Sequence, residues 1–288
     1  LVLCGIGGPV TFNVASGTYD EQLTLQELPG MSAINHVTFQ SASGNPADVV
    51  LQYDATASAS NWVVRFDGGD FFTLADMTLT SGPNTTYGKV LVYQNTAEFN
   101  TVDNCILNGD VTTSSSTERA TIYSSGTNYA NYNTVSNCQI NNGYYGVYFY
   151  GGSSSPNNGN MFTGNTLNGF YYYGIYFQYQ KNGVIDGNTL VNSSPASSTI
   201  YGIRFAYNDS TNSLSGNKVL LSSDGTSYGL YVYDCDGDPA NYTTVSNNFV
   251  QLNTGTSSHY GIYSYNGDFL KYYHNTVNVA AGDGSGSE

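Results

Sequence analysis

Tyr145-Gly146-Val147-Tyr148-Phe149-Tyr150 and Tyr173-Gly174-Ile175-Tyr176-Phe177-Gln178 decide the fold of this chain. Val147 and Phe149 alternate with Tyr148 and Tyr150, and Ile175 and Phe177 with Tyr176 and Gln178, which is the two-residue period of a β-strand. The same phrase returns at Tyr201-Gly202-Ile203-Arg204-Phe205, Tyr228-Gly229-Leu230-Tyr231-Val232 and Tyr260-Gly261-Ile262-Tyr263-Ser264. Counted from Tyr145, the steps are 28, 28, 27 and 32 residues. A second phrase, Asn-x-aliphatic, is interleaved with the first at Asn104, Asn137, Asn165, Asn188, Asn217, Asn247 and Asn275, in steps of 33, 28, 23, 29, 30 and 28. Two series in step mark a repeat architecture.

A propeller blade takes about 40–45 residues. A period near 28 predicts instead one coil of a β-solenoid, with two or three short strands per coil. Each strand then pairs with its equivalent one turn on, at about 4.8 Å. The chain's 288 residues make about ten such coils and a rod roughly 45 Å long. The asparagines are expected as a structural ladder at tight turns, since Asn tolerates the left-handed conformation and its amide can bond the coils above and below. The glycines are expected where a bend leaves no room for a Cβ. Val37-Thr38-Phe39 and Met77-Thr78-Leu79 occupy the asparagine slot in the weaker early repeats. No linker interrupts the period, which predicts one all-β domain over residues 1–279 and a flexible tail or linker over 280–288.

The opening Gly8-Pro9-Val10-x-Phe12-Asn13-Val14-x-x-Gly17-Thr18-Tyr19-x-Glu21 comes first, followed by Val37-Thr38-Phe39-Gln40-Ser41 and then the Tyr-Gly-Ile-Tyr and Gly-Asn-Thr-Leu repeats. Together they resemble the right-handed parallel β-helix repeats of the pectin-lyase-like superfamily. More narrowly, they resemble β-helix modules of very large secreted bacterial surface proteins. The resemblance implies a single-domain right-handed parallel β-helix and a secreted, extracellular or cell-surface location. It says less about activity, because one fold hosts many. Such proteins usually open with an amphipathic capping helix, of which Leu1 to Cys4 is expected to be the tail, and the resemblance does not extend to a sorting domain after Val279.

Composition narrows the function. Only 10% of residues are charged, seven are Lys or Arg, and the net charge is -14. That balance excludes a phosphate-neutralising surface for nucleic acid. No run of about 20 apolar residues spans a membrane. With 14% aromatic and 40% hydrophobic residues, the chain has ample apolar surface to bury, unlike a disordered one. Leu1 follows no Met, basic n-region or apolar h-region, so the chain is expected to be a mature or excised piece of a longer secreted protein.

No complete catalytic motif is present, which leans against an enzyme. The polygalacturonase-like Asn-Thr-Asp, Asp-Asp, Gly-His-Gly and Arg-Ile-Lys set is missing, as are the pectate-lyase-like Asp-His and Arg-x-Pro-x-x-Arg patterns. His36, His259 and His274 are expected on the surface or in turns. One row survives. Aligning the coils on Tyr176, Arg204, Tyr231 and Tyr263 sets Lys181, Asp209, Asp236 and Asp268 at one offset. Stacked like charges repel, so Asp234, Asp236 and Asp238 are candidate Ca²⁺ ligands. Lys181, Asp209 and Asp236 are the candidate catalytic residues of a polysaccharide lyase or hydrolase. The plain alternative is a solvated polar turn.

The alternation also places Tyr148, Tyr176, Tyr231 and Tyr263 on one outward row, broken by Arg204, with Tyr150, Tyr233 and Tyr265 beside it. Such a row suits contact with a glycan or another protein. Equally, it suits cross-strand pairing that only stabilises the sheet. Cys105 and Cys138 share a slot on neighbouring coils, within the span of a disulfide. The alternative is two reduced thiols. The function expected from these observations is structural or adhesive: a head-to-tail filament subunit stacked on copies of itself, or a module binding extracellular glycans. The rival is a lyase or glycoside hydrolase acting on an acidic polysaccharide.

Overall fold

The computed structural model describes residues 4–83, 86–192, 199–254 and 257–280. Three parallel sheets wind along one axis. The first has ten strands, from Val10–Val14 to Leu270–Tyr273, and the second has ten, from Gly17–Asp20 to Thr276–Ala280. The third has nine, from Leu23–Gln26 to His259–Tyr265. The chain visits the sheets in strict rotation. It therefore makes nine full turns and adds a tenth strand to the first two sheets, close to the expected ten. Ala280 ends the last strand, and the rest of the expected tail, 281–288, lies outside the described residues.

Each coil pairs in register with the next: Val102 with Val135, Leu107 with Ile140, Val147 with Ile175. Their side chains point inward and form one continuous core that includes Val102, Leu107, Ile122, Phe149, Phe177 and Phe205, all essentially inaccessible to solvent. Burying an aliphatic or aromatic side chain of this kind contributes about 1.5–3 kcal/mol. No strand exceeds eight residues. The repeated burial, more than strand length, holds the rod together.

From the third coil on, the chain turns the corner between the first and second sheets in two residues. The first takes a positive φ: Asp76, Asn104, Asn137, Gly164, Gly187, Gly216, Asn247 and His274. The second is Met77, Cys105, Cys138, Asn165, Asn188, Asn217, Asn248 and Asn275, and it points inward. Only this second slot carries the ladder. The Asn165 N–H donates to Asn188 Oδ1 (2.9 Å), Asn188 N–H to Asn217 Oδ1 (3.0 Å), Asn217 N–H to Asn248 Oδ1 (3.0 Å) and Asn248 N–H to Asn275 Oδ1 (3.0 Å). The expected ladder is therefore corrected at three positions. Asn104, Asn137 and Asn247 sit one residue early, in the left-handed slot, and their neighbours Cys105, Cys138 and Asn248 take the buried one.

The cysteines act as ladder members. The Cys105 N–H donates to Cys138 Sγ at 3.4 Å, the bond an Asn oxygen accepts elsewhere, and the Cys138 N–H donates to Asn165 Oδ1 at 2.9 Å. Both are buried free thiols, as is Cys235, so the candidate disulfide is not formed in this structure. The contact with Cys138, together with burial, pushes the Cys105 thiol well up. A second buried ladder, Asn100–Asn133–Asn160, closes the corner leading into the first sheet through N–H to Oδ1 bonds of 3.0 Å each. His259 departs from expectation: it is buried at the start of its strand.

Candidate functional site

Two surface features stand out: a tyrosine face on the third sheet and a polar row along the corner that follows it.

The tyrosine face begins with the glycines. Gly146 and Val147 are both buried, so the strand bends between Tyr145 and Tyr148 and both rings point outward. A Cβ on Gly202 would lie 2.4 Å from Val219 Cγ1 and 2.6 Å from the Gly229 carbonyl oxygen, and Gly229 is equally crowded by Val250 and Gly261. The bend therefore excludes every side chain at this position. The result is two parallel ladders. Tyr145, Tyr173, Tyr201, Tyr228 and Tyr260 stack at 5.1, 4.8, 4.7 and 4.9 Å. Beside them Tyr123, Tyr148 and Tyr176 stack at 5.6 and 4.9 Å, and Tyr231 and Tyr263 at 5.0 Å. The ladders meet edge-on, for example Tyr173 with Tyr176 at 88° and Tyr228 with Tyr231 at 90°.

All the expected contact tyrosines lie here. Tyr148, Tyr150, Tyr176, Tyr231, Tyr233 and Tyr263 are half-buried, and Tyr265 is exposed. Tyr233 and Tyr265 stack at 5.3 Å. The first ladder was present in the repeat but was not recognised as part of this face, because simple alternation places Tyr145 on the opposite side from Tyr148. Ring faces within the ladders are covered by neighbouring rings. What solvent meets is ring edges and hydroxyls. Burial, then the neighbouring rings, pushes the hydroxyls of Tyr145, Tyr148 and Tyr201 up, so they remain protonated donors at neutral pH.

Arg204 fills the gap in the second ladder, its guanidinium 4.5 Å from the Tyr176 ring and 5.8 Å from the Tyr231 ring. Such contacts are worth about 0.5–2 kcal/mol. Its Nη1 donates to Gln178 Oε1, which also accepts from the Tyr176 hydroxyl at 2.7 Å.

The polar corner holds one residue per coil: Asp70, Glu98, Asn131, Asn158, Lys181, Asp209, Asp236 and Asp268. The expected row is its second half, with Lys181 bridged to Asp209 in parallel register. Its carboxylates are used within the backbone. Asp70 Oδ1 accepts from the Glu98 N–H at 2.7 Å, and Asp236 Oδ1 from the Asp268 N–H at 2.9 Å. Asn131 Oδ1 accepts from the Asn158 N–H at 2.7 Å. Burial, then Asp236, raises the Asp209 carboxyl. Lys181 joins none of the ion pairs among the described residues, which are Arg65–Asp67, Lys89–Glu118 and Arg119–Asp110.

Asp234, Asp236 and Asp238 do not converge. Asp234 accepts from Asn266 Nδ2, while Asp238 caps its own turn from the Ala240 and Asn241 N–H groups at 2.9 and 2.8 Å. Among the described residues no three His, Cys, Asp or Glu side chains gather where they could hold a metal ion.

Sequence reasoning missed two further groups. Phe71, Phe99 and Tyr132, all at positive φ next to the polar row, stack at 5.0 and 4.8 Å. Lys89 is buried, 2.9 Å from Glu118 and 3.9 Å over the Tyr123 ring. Burial works against the Glu118 charge, but Lys89, Asn61 and Ser58 outweigh it and hold the carboxyl below its usual range. A lone signal was available: the aromatic-Asn pairs Phe99-Asn100 and Tyr132-Asn133 each precede a Thr-Val strand.

The model of the family described as periplasmic copper-binding protein (NosD) matches residues 76–286. No curated protein matches the sequence. Among solved structures, a GH136 lacto-N-biosidase from Eubacterium ramulus superposes with a TM-score of 0.51 at 10% identity, covering 95% of this chain and 62% of that one. An alginate lyase from Paenibacillus sp. str. FPU-7 gives 0.46 at 13% identity, covering 94% and 93%. PfbA, a surface adhesin of Streptococcus pneumoniae, gives 0.36 at 12% identity, covering 96% and 86%. At 10% identity the likeness to the biosidase is one of fold. Among the described residues no helix is long and apolar enough to cross a membrane.

Copper requires thiolate, thioether or imidazole ligands in one place. Here Cys105 and Cys138 are held as thiols inside the asparagine ladder, Cys235 is buried elsewhere, Cys4 stands exposed ahead of the first strand, and Met31, Met77 and Met161 lie on different coils. His36 precedes an early strand of the first sheet, His274 follows the last strand of that sheet at the other end of the rod, and His259 opens a strand of the third sheet. The described residues do not fit a copper centre of the kind that description names. The fold, the repeat and the extent of the sequence match agree on lineage: the chain belongs to the NosD family of right-handed parallel β-helix proteins.

Proposed function

We propose that this chain is a structural and adhesive β-solenoid module acting at a cell surface or in the extracellular space, and that it holds glycans on its tyrosine face. The observation that carries this is the pair of interlocked tyrosine ladders, which spans at least five coils. Stabilising the sheet requires only that rings stack. It does not require a hydroxyl on every ring, yet each of these rings is a tyrosine and none is phenylalanine. The buried rings, by contrast, are mostly phenylalanine: Phe149, Phe162, Phe177 and Phe205. A flat, stiff array of hydroxyl donors repeating every ~4.8 Å suits hydrogen bonding to the many hydroxyls of a polysaccharide laid along the rod. Sugar stacking on ring faces is not the mode, since those faces are covered.

Retention of the purified chain on a broad glycan panel tests this reading. Replacing Tyr176 and Tyr231 with Phe keeps both stacks and removes two hydroxyls, and retention is expected to fall. No retention on any glycan, or retention that survives Tyr176→Ala with Tyr231→Ala, overturns it. The solenoid's two ends supply the structural half of the proposal, end-to-end stacking of copies, which is argued at the scale of the whole molecule below.

A further inference from the structure

The strongest unexplained group on the tyrosine face is its one unneutralised cation. The chain has seven Lys and Arg residues. On the outward rows of the third sheet and its leading edge, Arg65 lies over the Trp62 ring at 3.7 Å and is paired with Asp67 at 3.2 Å. Lys89 lies over Tyr123 and is paired with Glu118 at 2.9 Å. Both pairs are built alike: an aromatic face beneath the cation and a carboxylate beside it.

Arg204 occupies the same outward row as Arg65. The register runs Arg65–Val92–Tyr123–Tyr148–Tyr176–Arg204–Tyr231–Tyr263. Arg204 has the aromatic half of the arrangement, on both sides, and lacks the carboxylate: no described acidic group comes within ion-pair distance of it. Its geometry is fixed all the same. Gln178, 5% exposed, holds Nη1 through an Oε1 that is itself fixed by the Tyr176 hydroxyl. Among the described residues that is the one hydrogen bond the guanidinium donates, so the rest of its fork is presented to solvent between Tyr176 and Tyr231. In a chain of net charge -14, a positioned and unpaired guanidinium flanked by tyrosine rings is an isolated site for an anion. The planar fork matches a carboxylate in particular.

We infer that Arg204 takes the carboxylate of an acidic glycan lying on the tyrosine face, supplying from the ligand the partner that Asp67 and Glu118 supply to the other two cations. This rests on the glycan reading above and names the class of glycan. Arg204 is then the residue that sets specificity, while on either side the Tyr176 hydroxyl, its proton given to Gln178, accepts from the sugar and the Tyr231 hydroxyl bonds it.

The test measures affinity of the full chain for hyaluronan oligosaccharides, for the same oligosaccharides with their carboxyl groups reduced to alcohols, and for neutral dextran. The carboxylated form is expected to bind about tenfold tighter or more than its reduced counterpart, the margin of a charge-assisted hydrogen bond. That preference is expected to shrink as salt rises. Arg204→Gln should bring the two forms to equal affinity, Arg204→Lys should recover part of the preference, and Lys218→Gln, an exposed cation on the second sheet, should leave it intact. Equal binding of both forms by the unaltered chain, or a preference that survives Arg204→Gln, overturns the inference. If Arg204→Gln does not fold, the comparison of the two glycan forms on the unaltered chain decides. If both forms bind alike and Tyr176→Phe with Tyr231→Phe weakens both, the tyrosine-face reading stands and the carboxylate alone falls. If no glycan binds, both fall.

Discussion

Asn188 serves several buried polar groups at once. Its Oδ1 accepts from the Asn165 N–H at 2.9 Å and from Asn165 Nδ2 at 3.0 Å, while its Nδ2 donates to the Phe162 carbonyl at 2.8 Å and to Asn217 Oδ1 at 3.0 Å. Asn188→Ala strands the Asn165 N–H and the Phe162 carbonyl out of reach of water, at about 1–3 kcal/mol each. The urea midpoint is expected to fall accordingly, with the slope unchanged. Cys138→Asn should behave oppositely, because an amide oxygen there accepts the Cys105 N–H better than sulfur does at 3.4 Å. Stability is expected to hold or rise, and a loss above about 2 kcal/mol would show that the thiol is needed for packing. Asp70 offers a pH-dependent case. Burial, with Glu27 and Glu98 nearby, raises its carboxyl to about 6 against the bond from the Glu98 N–H. Between its usual value of 3.8 and about 6 the folded chain holds a proton that the unfolded chain has released. Its contribution is therefore full below 3.8 and lost as pH rises to about 6. Asp70→Asn keeps the acceptor for Glu98. It should raise Tm above pH 6 by about 2–4 °C, the effect of ~1 kcal/mol after allowing for solvent exposure, and should change nothing below pH 3.8.

Elements are where repetition was most legible and where it misled. The Tyr-Gly-aliphatic strand announced itself because its glycine has a steric reason that recurs in five successive coils, at Gly146, Gly174, Gly202, Gly229 and Gly261. Gly229→Ala puts a Cβ 2.3 Å from Val250 Cγ1 and 2.5 Å from the Gly261 oxygen. Overpacking of this kind costs about 1–3 kcal/mol, and a thermal melt should show the loss, whereas Gly44→Ala, in open space but at φ 72°, tests backbone strain alone. The same strand hid half of its tyrosine face. Alternation by two assigns Tyr145 to the core, and only the bend at Gly146 returns it to the surface beside Tyr148. At the corners, asparagine suits both the left-handed slot and the buried slot after it, so Asn104, Asn137 and Asn247 could not be told from true ladder members by pattern. Phe71, Phe99 and Tyr132 were hard to read for the opposite reason. Aromatic residues seldom adopt positive φ, and the one local mark is the asparagine that follows Phe99 and Tyr132. The pair Lys89 and Glu118 meets only because coils stack, 29 residues apart in sequence, which a charge pattern read along the chain does not register.

At the scale of the molecule, the described rod presents unpaired strand edges at both ends. One end exposes Val10–Val14, Gly17–Asp20 and Leu23–Gln26 around a cavity of about 540 Å³ lined by Phe12, Val14, Tyr19 and Leu23. At the other end, Leu270, Tyr272, Val277 and Ile262 occupy the inward slots of the last strands, with Val277 44% exposed. Continuing the existing register by one turn sets Leu270 over Val10, Tyr272 over Phe12, Val277 over Tyr19 and Ile262 over Leu23. These four inward contacts are apolar on apolar, while a fifth slot sets the small hydroxyl of Ser264 over Leu25, and unpaired edges invite such addition. A head-to-tail contact of this kind does not close on itself, so it grows a filament. The opposing term is the charge of -14 on each copy. Raising salt from about 0.01 M to about 1 M shortens the screening length from ~30 Å to ~3 Å, so stacking should strengthen steeply over that range. Electron microscopy with sedimentation is expected to show single rods at the low end and end-to-end rods at the high end. Val277→Glu, which buries a charge against Tyr19 of the next copy, should keep the rods single throughout. Single rods of the unaltered chain at both salt extremes would remove the filament from the proposed function. The tyrosine face lies on the side of the rod, so its adhesive role would be left standing by itself.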